Sequence, residues 1–198
     1  MKKKEFAILG IGSLLLVLIG VFFIYFKKIP LIAKSTNSAQ NKNIIVKKTQ
    51  NPIKISLLSK DKIIETNSVF EVEIILDTSK NQINGADVVL IFDPQILQVI
   101  DADNNKPNIQ ISAGNIFEKP MLLMNHADNS KGIISLSIGT LSPFSGKGAY
   151  GAVQFKALKP VSTKIDFDQT KTKVAILDET TSYTGKQNLT PITIKIGN

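Results

Sequence analysis

Apolar and polar residues alternate with a period of two over much of the chain beyond residue 52. The clearest run is residues 68–77, where Phe70, Val72, Ile74 and Leu76 fall on one side and Glu71 and Glu73 on the other. A strand with one buried and one wet face has this pattern. Residues 83–92 form a second run, ended by Asp93-Pro94, and residues 96–100 a third, closed by the polar stretch 101–108. Residues 121–126 and 132–138 read as a pair joined by Ala127-Asp128-Asn129-Ser130-Lys131. In residues 150–158, Val153, Phe155 and Ala157 oppose Ala152, Gln154 and Lys156. Residues 53–58, 161–167, 173–177 and 191–196 complete a set of about nine or ten short strands with Gly, Pro, Asn and Asp turns between them. No segment past residue 52 keeps a 3.6-residue period. The prediction is an all-β domain over residues 53–198, a two-sheet sandwich of about nine strands.

One strand departs from simple alternation. Ala86, Val88, Leu90 and Phe92 make one face, and the other holds Gly85, Asp87, Val89 and Ile91. Apolar residues on both faces mark either a doubly covered central strand or an outer face that binds something. The second reading makes Asp87, Val89 and Ile91 candidate partner-binding residues, joined by Ser135 and Ser137 of the later strand.

The N-terminal part is different. Residues 6–26 are uncharged and nearly all apolar. As a helix they span about 31 Å, close to the hydrocarbon thickness of a bilayer. Lys2, Lys3 and Lys4 precede the run, and Lys27 and Lys28 follow Phe23-Ile24-Tyr25-Phe26, a poor site for signal cleavage. An uncleaved single-pass anchor is expected, with residues 1–5 as a cytoplasmic tail and the C-terminal domain extracytoplasmic. Residues 27–52 are expected to be a polar linker. Within residues 34–51 only Ala39, Ile44, Ile45 and Val46 are apolar, too few to form a core.

Charge follows the same division. Residues 1–54 carry ten lysines and one glutamate, a net +9, whereas residues 55–198 carry fourteen lysines and fifteen acids, a net −1. The main domain therefore lacks an electrostatic footprint for nucleic acid. All 24 basic residues are Lys, which suits bidentate phosphate or base readout less well than Arg.

Chemistry finds little purchase. With no Cys there are no disulfides, thiolate metal sites or cysteine nucleophile, and the single His, His126, lies beside a turn without a nucleophile signature. Asp101-Ala102-Asp103-Asn104-Asn105 begins like a calcium loop but has Lys106-Pro107 where glycine is needed and Ser112 in place of the bidentate glutamate. Asp166 and Asp168 are expected on one side of one strand with Lys164, a solvated edge rather than a sugar-cleaving pair. Gly146-Lys147-Gly148 lacks the spacing of a phosphate loop. No metal, no cofactor and no catalytic residue is expected.

Four stretches carry a family resemblance: residues 69–76; Ile83 through Asp93-Pro94 to Val99; residues 132–139; and residues 146–157, a small-residue loop running into Phe155-Lys156. Together they resemble a divergent cohesin domain, the module by which cellulosome scaffolds hold dockerin-bearing proteins. The resemblance implies a jelly-roll sandwich without catalytic residues, monomeric, with one sheet face binding a dockerin, itself a calcium-loaded helical pair. It also implies a place in polysaccharide breakdown. Asp87 falls where type I cohesins place an Asp that contacts dockerin hydroxyls. Gly85 stands at an Asn position, and Ser137 and Thr140 stand where an apolar residue and an acid are found. A carbohydrate-binding module or a structural envelope domain on a related sandwich is the alternative. Sugar platforms stack rings on exposed aromatics, and beyond the apolar run the chain has no Trp and only Tyr150 and Tyr183 as tyrosines.

Overall fold

The computed structural model describes residues 51–178, 181–184 and 187–198. The expected tail and anchor, and the linker up to residue 50, lie outside the described residues. Among the described residues no helix is long and apolar enough to cross a membrane.

The alternating runs become strands where expected. In chain order these are β1 (Ile53–Ser59), β2 (Ile64–Glu65), β3 (Val69–Asp77), β4 (Ile83–Ile91), β5 (Leu97–Val99), β6 (Ser112–Ala113), β7 (Pro120–Asp128) and β8 (Ile133–Phe144). They continue with β9 (Lys147–Ala157), β10 (Thr163–Phe167), β11 (Lys173–Asp178), β12 (Thr181–Thr184), β13 (Gln187–Thr190), β14 (Ile192–Ile194) and β15 (Ile196–Gly197). Pattern reading did not reach the short pieces β2, β6, β12 and β13, which are too brief to show a period.

One sheet runs β13-β1-β3-β9-β5, with β6 also on the β9 edge. The second centres on β4, which pairs with β8 on one side and with both β10 and β11 on the other; β7 adds to β8. Most pairings are antiparallel, but β1–β13 and β2–β15 are parallel. The alternating apolar sets of both sheets face each other. Phe70, Val72, Ile74 and Leu76 of β3 are buried, as are Ala86, Val88 and Leu90 of β4 and Ile134, Leu136 and Ile138 of β8. Phe155 lies between Phe70, stacked at 5.8 Å, and Phe92, edge-on at 5.4 Å. This double-sheet burial is what the hydrophobic effect demands of strands with one apolar face.

Tyr150 breaks the alternation. Counting back from Val153 by twos puts Tyr150 on the outside, yet it is fully buried. A bulge explains this: Ile74 pairs with Gly151 and Ile75 with Ala149, so Tyr150 is the extra residue and turns inward. Its hydroxyl crosses to the opposite sheet, donating to Ala86 O and accepting the Ile138 N–H at 2.9 Å. Burial pushes its phenol well above the usual tyrosine range.

Candidate partner-docking face

The outer face of β11-β4-β8-β7 can be read in rows from the register. One row runs Ala175, Gly85, Gly139, Met121, and the next Lys173, Asp87, Ser137, Met124. A third holds Val89, Ser135 and His126, and the last Asp166, Ile91, Ile133 and Asp128. The five residues singled out from sequence therefore share one face, on adjacent strands.

Their exposures differ. Asp87 and Ile91 are exposed, and Ser135 and Ser137 are half-buried. Ser137 Oγ donates to Asp87 Oδ1. Lys173 stands opposite Asp87 in the ladder, and Asp87 is exposed, so its carboxylate is within reach of a donor from outside.

Val89 departs from expectation: it is only 9% exposed although it lies on the outer face and is no part of the core cluster. Its backbone is bound by the connection from β10 to β11, both of which pair with the same edge of β4. The Asp168–Thr172 turn between them runs along Val89. Asp168 N–H donates to Val89 O at 2.9 Å. Thr172 Oγ1 accepts the Val89 N–H at 3.1 Å and donates to its carbonyl at 3.2 Å.

Asp168 also departs from expectation. β10 ends at Phe167, so Asp168 does not stand on the strand beside Asp166. It caps the following turn through Thr170 Oγ1 at 2.7 Å and Lys171, and the Thr170 hydroxyl above all holds its carboxyl down to about 2. Asp166 pairs with Lys164 at 2.6 Å. Asp128 forms a twin of the Asp168 turn with Ser130 and Lys131; the Lys131 ammonium contributes most to holding its carboxyl below the usual range. In the 101–105 loop, Asp101 Oδ1 accepts the N–H groups of Asp103 and Gln110, and Asp103 Oδ1 accepts that of Asn105. These oxygens serve the loop's own backbone. Among the described residues no group of three or more His, Asp or Glu side chains is placed to hold a metal ion.

Residues that pattern reading missed lie on β7. Met121, Leu122, Leu123 and Met124 are 42%, 45%, 68% and 53% exposed, and Leu141 of β8 is 86% exposed. The signal was present as four apolar residues in a row in a strand that should alternate; such a run at the surface needs a functional reason. A bulge makes the arrangement. Leu122 pairs with Ile138 and Met124 with Ser137, so Leu123 is extra and joins Met121 on the outer face. Both side chains lie over Gly139, with Met121 Cε and Leu123 Cδ1 3.5 and 3.6 Å from where its Cβ would stand. The result is a shallow depression of about 470 Å³ with Gly85 and Gly139 at its floor and Asp87 at one end.

The same architecture recurs among solved structures. A type II cohesin–X-dockerin complex from Acetivibrio cellulolyticus matches 73% of this chain over 99% of its own, with TM-score 0.58 and 18% identity. A type I cohesin from Pseudobacteroides cellulosolvens matches 73% of the chain over 92% of its own, at TM-score 0.57 and 15% identity. The described domain has a cohesin-like fold. A type I cohesin–dockerin complex from Clostridium thermocellum gives TM-score 0.55 and 17% identity, over 74% of this chain and 99% of that one. Identities this low show a divergent cohesin-like fold. No family model matches the sequence, and no curated protein does.

Proposed function

We propose that this chain is a non-catalytic, surface-anchored module that holds a dockerin-bearing protein on the outer face of β11-β4-β8-β7, in the service of polysaccharide breakdown. The observation that carries the reading is the coincidence of a cohesin-like fold with a sheet face that presents exposed apolar side chains around an open carboxylate, Asp87. Two of the similar structures are cohesin–dockerin complexes. An apolar centre with a polar rim is the anatomy of a standard protein interface. Residues 6–26 would anchor the module, residues 27–52 would space it from the membrane, and any calcium would belong to the partner. Sugar binding is less well supported, because among the described side chains every Phe and Tyr is buried or half-buried.

The test is titration calorimetry of the full-length chain against calcium-loaded dockerin modules encoded in the same genome. Binding by at least one module is expected. Asp87→Ala should weaken it by about 2 kcal/mol, in the range of interface hot spots, and Ile91→Lys should do likewise by burying a charge. Both side chains are exposed, so melting temperatures should hold. Undiminished affinity in both variants would move the site elsewhere, and no binding by any module would sink the reading.

A further inference from the structure

We propose that the depression over Gly85 and Gly139, beside the Asp87 carboxylate, is a subsite for one large apolar side chain of the docked partner. This deepens the docking reading and rests on it.

The two glycines face each other across the central strands β4 and β8. Neither has the positive φ that would require glycine; among the described glycines only Gly132 and Gly146 do. Glycine inside a strand is costly in conformational entropy and often marks a close approach by a ligand or another backbone. At Gly85 the approach is internal, since a Cβ would stand 3.0 Å from Ile138 O. At Gly139 it is not. A Cβ there would meet only side-chain methyls at 3.5 and 3.6 Å and Asn84 O at 3.8 Å, all ordinary contacts. Packing within the chain would admit a methyl at Gly139 under Met121 and Leu123, and the depression beside these side chains, bounded by Gly85, Leu141 and Ala175, is available to a ligand.

The surroundings fit an apolar occupant. Met121 and Leu123 stand over Gly139, and Leu141 and Ala175 lie at the margin. Methionine adapts its shape readily to an incoming group. The floor is held from beneath by the Tyr150 hydroxyl, tied to Ala86 and Ile138 in the two strands that carry the glycines. The polar end holds the exposed Asp87, with Oδ1 engaged by Ser137, and Lys173 opposite it. A side chain of leucine, isoleucine or phenylalanine size next to a hydroxyl or ammonium donor satisfies both ends.

Edge-to-edge pairing of β7 with a second copy accounts less well for the same apolar run. Pro120 opens the strand and the bulge at Leu123 twists its edge, both devices that discourage strand addition. The Asn125–Ala127 half of that edge is already occupied. Asn125 bonds both polar groups of Ile111, and Ala127 N–H donates to Ile109 O.

The chain's three methionines are Met1, Met121 and Met124, so methyl-labelled methionine gives a sparse NMR spectrum of the full-length protein. Isobutanol is the probe, a branched apolar group with one hydroxyl. It should shift the Met121 methyl saturably and the Met124 methyl much less. Gly139→Leu, which fills the depression from within, should weaken this response at least tenfold. Gly139→Ala should keep the fold and weaken it two- to threefold. Ile63→Lys, exposed just before β2 and away from this face, should leave it unchanged. Equal shifts at both methyls, no shift at Met121, or an unaltered response in Gly139→Leu would each overturn the subsite. The probe needs no dockerin, so this result stands apart from the docking titration. If a dockerin binds and Gly139→Leu leaves its affinity within twofold, the subsite falls and the docking face remains.

Discussion

Tyr150 ties the two sheets at a single atom. Its hydroxyl sits between Ala86 O and Ile138 N, where the β4–β8 ladder would otherwise close on itself. Tyr150→Phe leaves both buried backbone groups without that partner, and such groups cost roughly 1–3 kcal/mol each when unsatisfied. A loss of about 2 kcal/mol in a urea titration is expected. A change below about 0.5 kcal/mol would show that the strands close directly. A second prediction concerns the twin aspartate turns. Both Asp128 and Asp168 are held below the ordinary 3.8 by hydrogen bonds to their ionised form. A carboxylate depressed in the folded state adds stability that is fully present above its unfolded value and is lost as pH falls through the folded value. The melting temperature should therefore fall between about pH 4 and pH 2, and Asp128→Asn with Asp168→Asn should flatten that part of the curve. An unchanged slope in the double variant would remove these turns from the acid response. Neither Tyr150's burial nor the Asp168 cap was legible in sequence. Each depends on where a neighbouring strand bulges or stops.

The β7–β8 hairpin shows what an element adds. Residues 127–131 were readable as its turn from their Asp, Asn and Ser content. The turn closes at Gly132, whose φ is +67° and whose N–H donates to Asp128 O at 2.9 Å. A Cβ there would stand 2.1 Å from Phe92 O, just past the end of β4. Gly132→Ala meets both the left-handed penalty and a backbone clash, so it should cost about 2 kcal/mol or more in denaturant unfolding. A stability within error of wild type would contradict the hairpin geometry. The inward sets of β3 and of the first half of β8 were legible because alternation over many residues admits only one buried face, whereas β4, apolar on both sides, and β9, bulged at Tyr150, were legible as strands but not in every facing. The surface of β7 was not. Its bulge at Leu123 changes which side chains share a face, and a bulge is chosen by the partner strand.

At the scale of the whole molecule, the apolar run over residues 6–26 sets one further expectation. Membranes bearing the chain should retain it at full length through a carbonate wash, and a mature N-terminus beyond residue 28 would overturn the anchor. The sequence by itself determined the all-β class, the inward sets of the long strands, and the grouping of Asp87, Val89 and Ile91 on one side of β4. These follow from local periodicity, since successive side chains on a strand must alternate. Only the tertiary structure decided that β10 and β11 share one edge of β4 with their turn bonded to the Val89 backbone, that Val89 is buried, that Tyr150 turns inward to join the sheets, and that Gly85 meets Gly139 beneath Met121 and Leu123. Each of these is a contact between residues distant in the chain, fixed by register and bulges that no local pattern encodes.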